Sequence, residues 1–137
     1  MNHRAIPSDV LSVVEAYPPA AKRVWKTLRT LIFETADQLP EVKALTETLK
    51  WREPSYLNKA GTTVRIAWSD KRPDTLGLYV NCQTSLIEDW RARYDDELTF
   101  IGNREVRLPL DAPLPTEPLR HCIAMALTYH IRKKTKP

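Results

Sequence analysis

Leu49-Lys50-Trp51-Arg52-Glu53-Pro54-Ser55-Tyr56 is the stretch around which the rest of the chain is arranged. It puts two aromatics, three charges and a proline into eight residues. Pro54 fixes its own φ and pushes Glu53 out of the helical region into an extended conformation. Lys50 to Glu53 therefore read as a rigid connector between two regular elements, not as part of a long helix.

Downstream of Tyr56 the hydrophobic period becomes two. Asn58 to Gly61 is turn material. Val64, Ile66 and Trp68 then alternate with Arg65 and Ala67, and Leu76, Leu78 and Val80 alternate with Gly77 and Tyr79. Two alternating strands joined by the polar loop Ser69 to Asp74 predict an antiparallel hairpin. Arg65 falls on the solvent-side phase of its strand.

Upstream, residues 41–50 fit either a helical stripe (Val42, Leu45, Leu49) or a strand leading into Trp51, and a short helical turn followed by a strand is expected. Before them, Ala21, Val24, Trp25, Leu28, Leu31, Ile32, Thr35 and Ala36 share one face at a 3.6-residue period. This predicts a helix over 19–38, started by Pro18-Pro19 and stopped before Pro40. A shorter helix with Ser8 as N-cap precedes it.

Ser85-Leu86-Ile87-Glu88 reads as a capping box opening a helix over 86–94. Phe100-Ile101, Gly102-Asn103 and then Val106 and Leu108 read as strand, turn and strand. The proline-rich run from Pro109 to Pro118 is a stiff linker, and a final helix begins near Thr116 with Leu119, Cys122, Ile123, Ala126 and His130 on its apolar side. The expected architecture is α+β: a single domain over residues 1–137, core about 8–133, with an antiparallel sheet packed against N- and C-terminal helices.

The totals fit that reading. A chain of 137 residues that is 42% hydrophobic and 28% charged suits one soluble domain with its own core. No run reaches the length of a membrane span and no signal-peptide stretch is legible, so a cytoplasmic location with no membrane partner is expected. The net charge of +4 is mild and owes much to Arg132-Lys133-Lys134-Thr135-Lys136, a solvated tail more than a nucleic-acid footprint.

Metal and nucleophile signatures are missing. His121 and His130 lie nine residues apart on the predicted last helix. They point roughly 180° from each other at about 100° per residue, so they cannot share a metal. His3 sits in the N-terminal segment, and His130 reads as a satisfied, half-buried histidine. Neither a GxSxG nor a glycine-rich phosphate loop occurs. Cys82, at a strand end before a helix, is either a thiol activated by the helix N-terminus or a small packed residue, and packing is expected. Cys122 reads as a buried, reduced thiol.

What remains is a polar and aromatic constellation: Trp51, Arg52, Glu53, Ser55 and Tyr56, with Arg65, Tyr79, Asn81 and Arg104 from the strands and their ends. If they converge, aromatic walls with guanidinium donors suit a small anionic or planar ligand. The same residues also fit a structural role, in which Glu53 pairs with Arg65 or Arg104 and Trp51 and Tyr56 anchor the connector to the core. An enzyme using Cys82 or His130 ranks behind both, because no nucleophile–base pair is legible.

Several segments also resemble a known family. Leu49 to Tyr56, Thr63-Val64-Arg65-Ile66, Tyr79 to Leu86, Gly102-Asn103-Arg104 and Ala126 to His130 are similar, in order, to segments of the YdhG-like family, a domain of unknown function. The resemblance runs from about residue 20 to 133. It implies a frataxin-like α+β fold and, for some relatives, a link to iron binding and delivery; it carries over no catalytic residue. Iron as a cofactor or cargo thus rests on the resemblance only. Hard iron sites want clustered carboxylates, whereas the long helix carries Lys22, Arg23, Lys26 and Arg29 against Glu34 and Asp37, and the densest acidic run is Asp95-Asp96-Glu97.

Overall fold

A computed structural model describes residues 4–135. His3 and Lys136, both assigned to terminal segments from the sequence, lie outside them. The order of elements is α1 (Ser8–Glu15), α2 (Pro19–Asp37), β1 (Thr46–Lys50), β2 (Glu53–Leu57), β3 (Val64–Ala67), β4 (Thr75–Tyr79), α3 (Leu86–Tyr94), β5 (Thr99–Ile101), β6 (Glu105–Pro109), α4 (Thr116–Leu127) and α5 (Tyr129–Thr135). The strands form a six-stranded antiparallel sheet in the order β1-β2-β3-β4-β6-β5. The expected α+β architecture is therefore present.

The predicted connector is tighter than the sequence suggested. Lys50 and Glu53 are themselves strand residues that face each other, so only Trp51 and Arg52 make the turn. Both have positive φ, 54° and 64°. That is the signature of a type I′ turn, whose twist matches the strands it joins and which normally takes Asn-Gly. Pro54 lies inside β2, opposite Leu49.

A central proline is tolerated here for a visible reason. In a two-residue hairpin the flanking residues exchange hydrogen bonds, so residues 53, 55 and 57 bond to β1, and residues 54 and 56 face β3. Extending the β2–β3 register (Ser55↔Arg65, Tyr56↔Val64) sets Ile66 opposite Pro54. The Ile66 carbonyl, which a proline nitrogen cannot serve, accepts the indole N–H of Trp25 at 3.2 Å.

The core lies between the sheet and the helices. Trp25, Leu28 and Ile32 of α2, Tyr56, Val64, Ile66, Leu76, Leu78, Val106 and Leu108 of the sheet, and Leu119, Cys122 and Ile123 of α4 are all buried. Each such aliphatic side chain contributes roughly 1.5–3 kcal/mol on burial. α2 packs on β3, β4 and α4, while α1 packs against β1 and β2.

Four local expectations are corrected. Ser8 is the first helical residue rather than the cap; Pro7 holds the cap position, and neither α1 nor α3 has a side-chain cap hydrogen bond. The capping box at Ser85 does not form, because the Ser85 hydroxyl lies 3.4 Å from the Asp89 carboxylate instead of on an orphan amide. The last helix is two, broken at Thr128. The 58–62 loop supplies the break: Thr62 N–H donates to the Ala126 carbonyl, the Asn58 amide to that of Leu127, and the His130 amide reaches the Ala60 carbonyl. Gly61 is required there, since a Cβ would sit 2.3 Å from the Ala126 and Leu127 carbonyl groups. On α5, beyond the break, His130 is exposed rather than half-buried.

Candidate functional site

The β-pleat divides the central stretch between two faces. Tyr56 points to the helices. Its ring meets Phe33 edge-on at 5.8 Å, and its hydroxyl donates to the Glu47 carboxylate at 2.8 Å. Arg29 of α2 holds the same carboxylate through both oxygens, at 2.6 and 2.8 Å, and uses its other donors on the Arg4 and Ala5 carbonyls. The arginine and carboxylate side chains are 9% and 6% exposed. Burial pushes the Tyr56 phenol well up, and the adjacent Glu47 carboxylate adds to it. The hydrogen bond to Glu47 raises Arg29 further. Tyr56 is thus a core residue and not part of a ligand site. Ser55 is likewise fully buried, its hydroxyl donating to the Glu53 carbonyl.

The other face carries a charged row. Register aligns Ser55, Arg65, Tyr79 and Glu105 across four strands. Arg65 lies 3.6 Å from the Glu53 carboxylate, the pairing expected from the sequence, with side chains 23% and 35% exposed. Its guanidinium also sits 5.9 Å from the Tyr79 ring. That ring folds back over Gly77, where a Cβ would come within 2.4 Å of the phenol oxygen. Glu105 is buried and takes two hydrogen bonds from Arg107, at 2.9 and 3.2 Å.

Beside this row the chain forms a shallow cavity of about 210 Å³, lined by Lys50 and Trp51 of the hairpin tip, Thr63 and Arg65, the segment Val80-Asn81-Cys82, and Arg104. The Val80 N–H donates to the Arg104 carbonyl at 2.9 Å, which ties the end of β4 to the start of β6. Asn81 uses its side-chain oxygen to accept from the Gln83 N–H at 2.9 Å.

Of the nine residues proposed from sequence, Trp51, Arg65, Asn81 and Arg104 line this cavity. Glu53 and Tyr79 hold Arg65 from the side. Arg52 is exposed at the turn without lining the cavity, and Ser55 and Tyr56 are inside the protein. Trp51 does not anchor the connector: it is 89% exposed, the most exposed large apolar residue described.

Lys50, Thr63, Val80 and Cys82 are additional. Lys50 neighbours Trp51 in the quoted stretch, and its place opposite Glu53 follows once the turn is known. Thr63 and Val80 carry no sequence signal of their own. Cys82 is exposed rather than packed. Cys122, by contrast, is buried as expected, and burial pushes its thiol up to about 12.

Among the described residues, no group of three or more His, Cys, Asp or Glu side chains gathers as a metal site, and no helix is long and apolar enough to cross a membrane. Compared with known proteins, the chain matches no family model, no curated protein and no solved structure.

Proposed function

We propose that this chain is a non-enzymatic binding domain for a small anionic or planar ligand, seated in the cavity beneath Trp51. The observation that carries the reading is the convergence of Lys50, Arg65 and Arg104 on one cavity with an exposed indole at its edge. Arg65 is shared with Glu53 and Tyr79. Among the described residues, the side chains of Lys50 and Arg104 have no ion-pair partner, so their donors are available to an anion. Arg and Lys at a concave site favour phosphate and carboxylate through charge-assisted hydrogen bonds.

Membership of the YdhG-like family belongs to the same proposal. In its support, segments of the resemblance supply Lys50, Trp51, Thr63, Arg65, Asn81 and Arg104, all of which line this one cavity.

Calorimetry with inorganic phosphate, small carboxylates and free nucleobases tests the site on the full chain. Binding of at least one of them is expected, and Arg104→Gln and Lys50→Gln should each weaken an anion by about 10- to 100-fold, as loss of a charged hydrogen bond does. Ligands that bind both variants as they bind the wild type would remove the cavity from consideration.

A further inference from the structure

The cavity has two chemically different ends. Trp51 and Lys50 belong to the hairpin tip, while Arg104 stands at the start of β6, three strands away from β2 in the sheet. Strand spacing alone separates their backbones by about 14 Å, so a ligand that meets both the indole and Arg104 is extended.

Folding gives no reason for that indole. Trp51 is 89% exposed, so it removes almost no apolar surface from water. Its backbone, at φ 54°, and that of Arg52, at φ 64°, adopt a conformation that glycine or asparagine takes with less strain. Non-glycine residues held in this region cluster at ligand sites. An exposed flat ring on a rigid turn, beside cations, is the arrangement that stacks a ligand's ring while the charges hold its anion.

From this we infer that the ligand is elongated and two-ended, a heteroaromatic ring joined to a phosphate: the chemistry of a mononucleotide. The ring lies on Trp51. The phosphate lies at Arg65 and Arg104, with Lys50 adding positive charge. Two or three cations match a doubly charged phosphate monoester better than a single carboxylate. This inference rests on the binding role proposed above and specifies its ligand.

The test compares AMP, adenosine, inorganic phosphate and a short oligodeoxyadenylate by calorimetry on the full chain at low salt. AMP is expected to bind at least about tenfold more tightly than adenosine or phosphate, since a base–aromatic stack alone is worth about 5- to 100-fold. Trp51→Ala should bring AMP down to the level of phosphate and leave phosphate unchanged. Trp51→Phe, which keeps a ring, should retain most of the AMP affinity. Arg104→Gln should weaken AMP and phosphate together. Phosphate binding as tightly as AMP, or AMP indifferent to Trp51→Ala, would overturn the two-ended ligand while leaving an anion site standing. An oligonucleotide bound more tightly than AMP would overturn the small-ligand assignment. No binding of AMP, adenosine or phosphate would overturn the mononucleotide, and the failure of carboxylates and nucleobases as well would take the binding role with it.

Discussion

Two clusters in this molecule use the same residue types, an arginine, a glutamate and an aromatic, and put them to opposite use. The Arg29–Glu47–Tyr56 cluster lies between α2 and the sheet, and its side chains are almost wholly removed from water. Each strong donor there has a named acceptor: Arg29 serves Glu47 and two backbone carbonyls, and Tyr56 serves Glu47. The Glu53–Arg65–Tyr79 cluster lies on the other face, is partly wet, and has a longer ion-pair contact of 3.6 Å. Beside it stand Lys50 and Arg104, with donors to spare, and an indole in water. Composition is therefore a poor guide to role. What separates a brace from a binding site is whether the donors are already satisfied when the chain has folded.

The sharpest way to break the comparison is to empty the dry cluster. Glu47→Ala leaves Arg29 buried without its carboxylate and should cost about 3–5 kcal/mol in urea denaturation. A loss under about 1 kcal/mol would mean that the cluster is no more than a surface pair.

Relieving the turn probes the other side. Arg52→Gly puts the residue that a type I′ turn prefers at a φ of 64° and should stabilise the fold by about 1 kcal/mol, with anion affinity unchanged because Arg52 does not line the cavity. A destabilised variant would show that the arginine makes contacts that outweigh the strain.

Glu53→Gln should alter stability by less than about 1 kcal/mol, since the pair it breaks is partly exposed. The same change frees Arg65, so phosphate affinity should rise. Stability and affinity moving in these separate ways would sharpen the contrast; a large loss of stability would erase it.

The smallest effect lies away from both clusters. The Tyr94 hydroxyl is hydrogen-bonded to His121 Nδ1 between α3 and α4. Burial, helped by Arg93 and Arg132, lowers the His121 pKa below its usual 6.5. The folded protein then binds this proton less readily than the unfolded chain, so stability should be full above pH 6.5 and fall as the pH drops below it. Melting temperatures compared from neutral pH to pH 5 should fall more for the wild type than for His121→Gln. Parallel curves would show that this histidine is not held neutral.

Much of the architecture was legible because it depends on local periodicity. The apolar stripe from Ala21 to Ala36 could only be a long amphipathic helix, and the alternation in Val64 to Ala67 and Leu76 to Tyr79 marked two antiparallel strands. Pro54 holds Glu53 extended beside the sheet, which led to Arg65 or Arg104 as its partner, and the pair forms with Arg65. Where expectation failed, a competing partner decided, distant in one case and local in the other. The last helix breaks because the 58–62 loop captures its carbonyls, and no residue near Thr128 announces that. The capping box lost its bond to a competing contact with Asp89.

The site divides along the same line. The sequence by itself determined that Leu49 to Tyr56 is extended, charged and aromatic, and that Arg65 shares a face with Tyr79. It could not assign Ser55 and Tyr56 to the interior, because a strand's two faces are told apart only by what covers them. Nor could it place Trp51 and Arg52 at positive φ, since neither is a residue that prefers that conformation. The cavity itself was decided by tertiary structure alone. Its lining comes from chain segments far apart in the sequence, and only the folded sheet with its β1–β2 hairpin tip gathers Lys50, Arg65, Asn81 and Arg104 around one cavity.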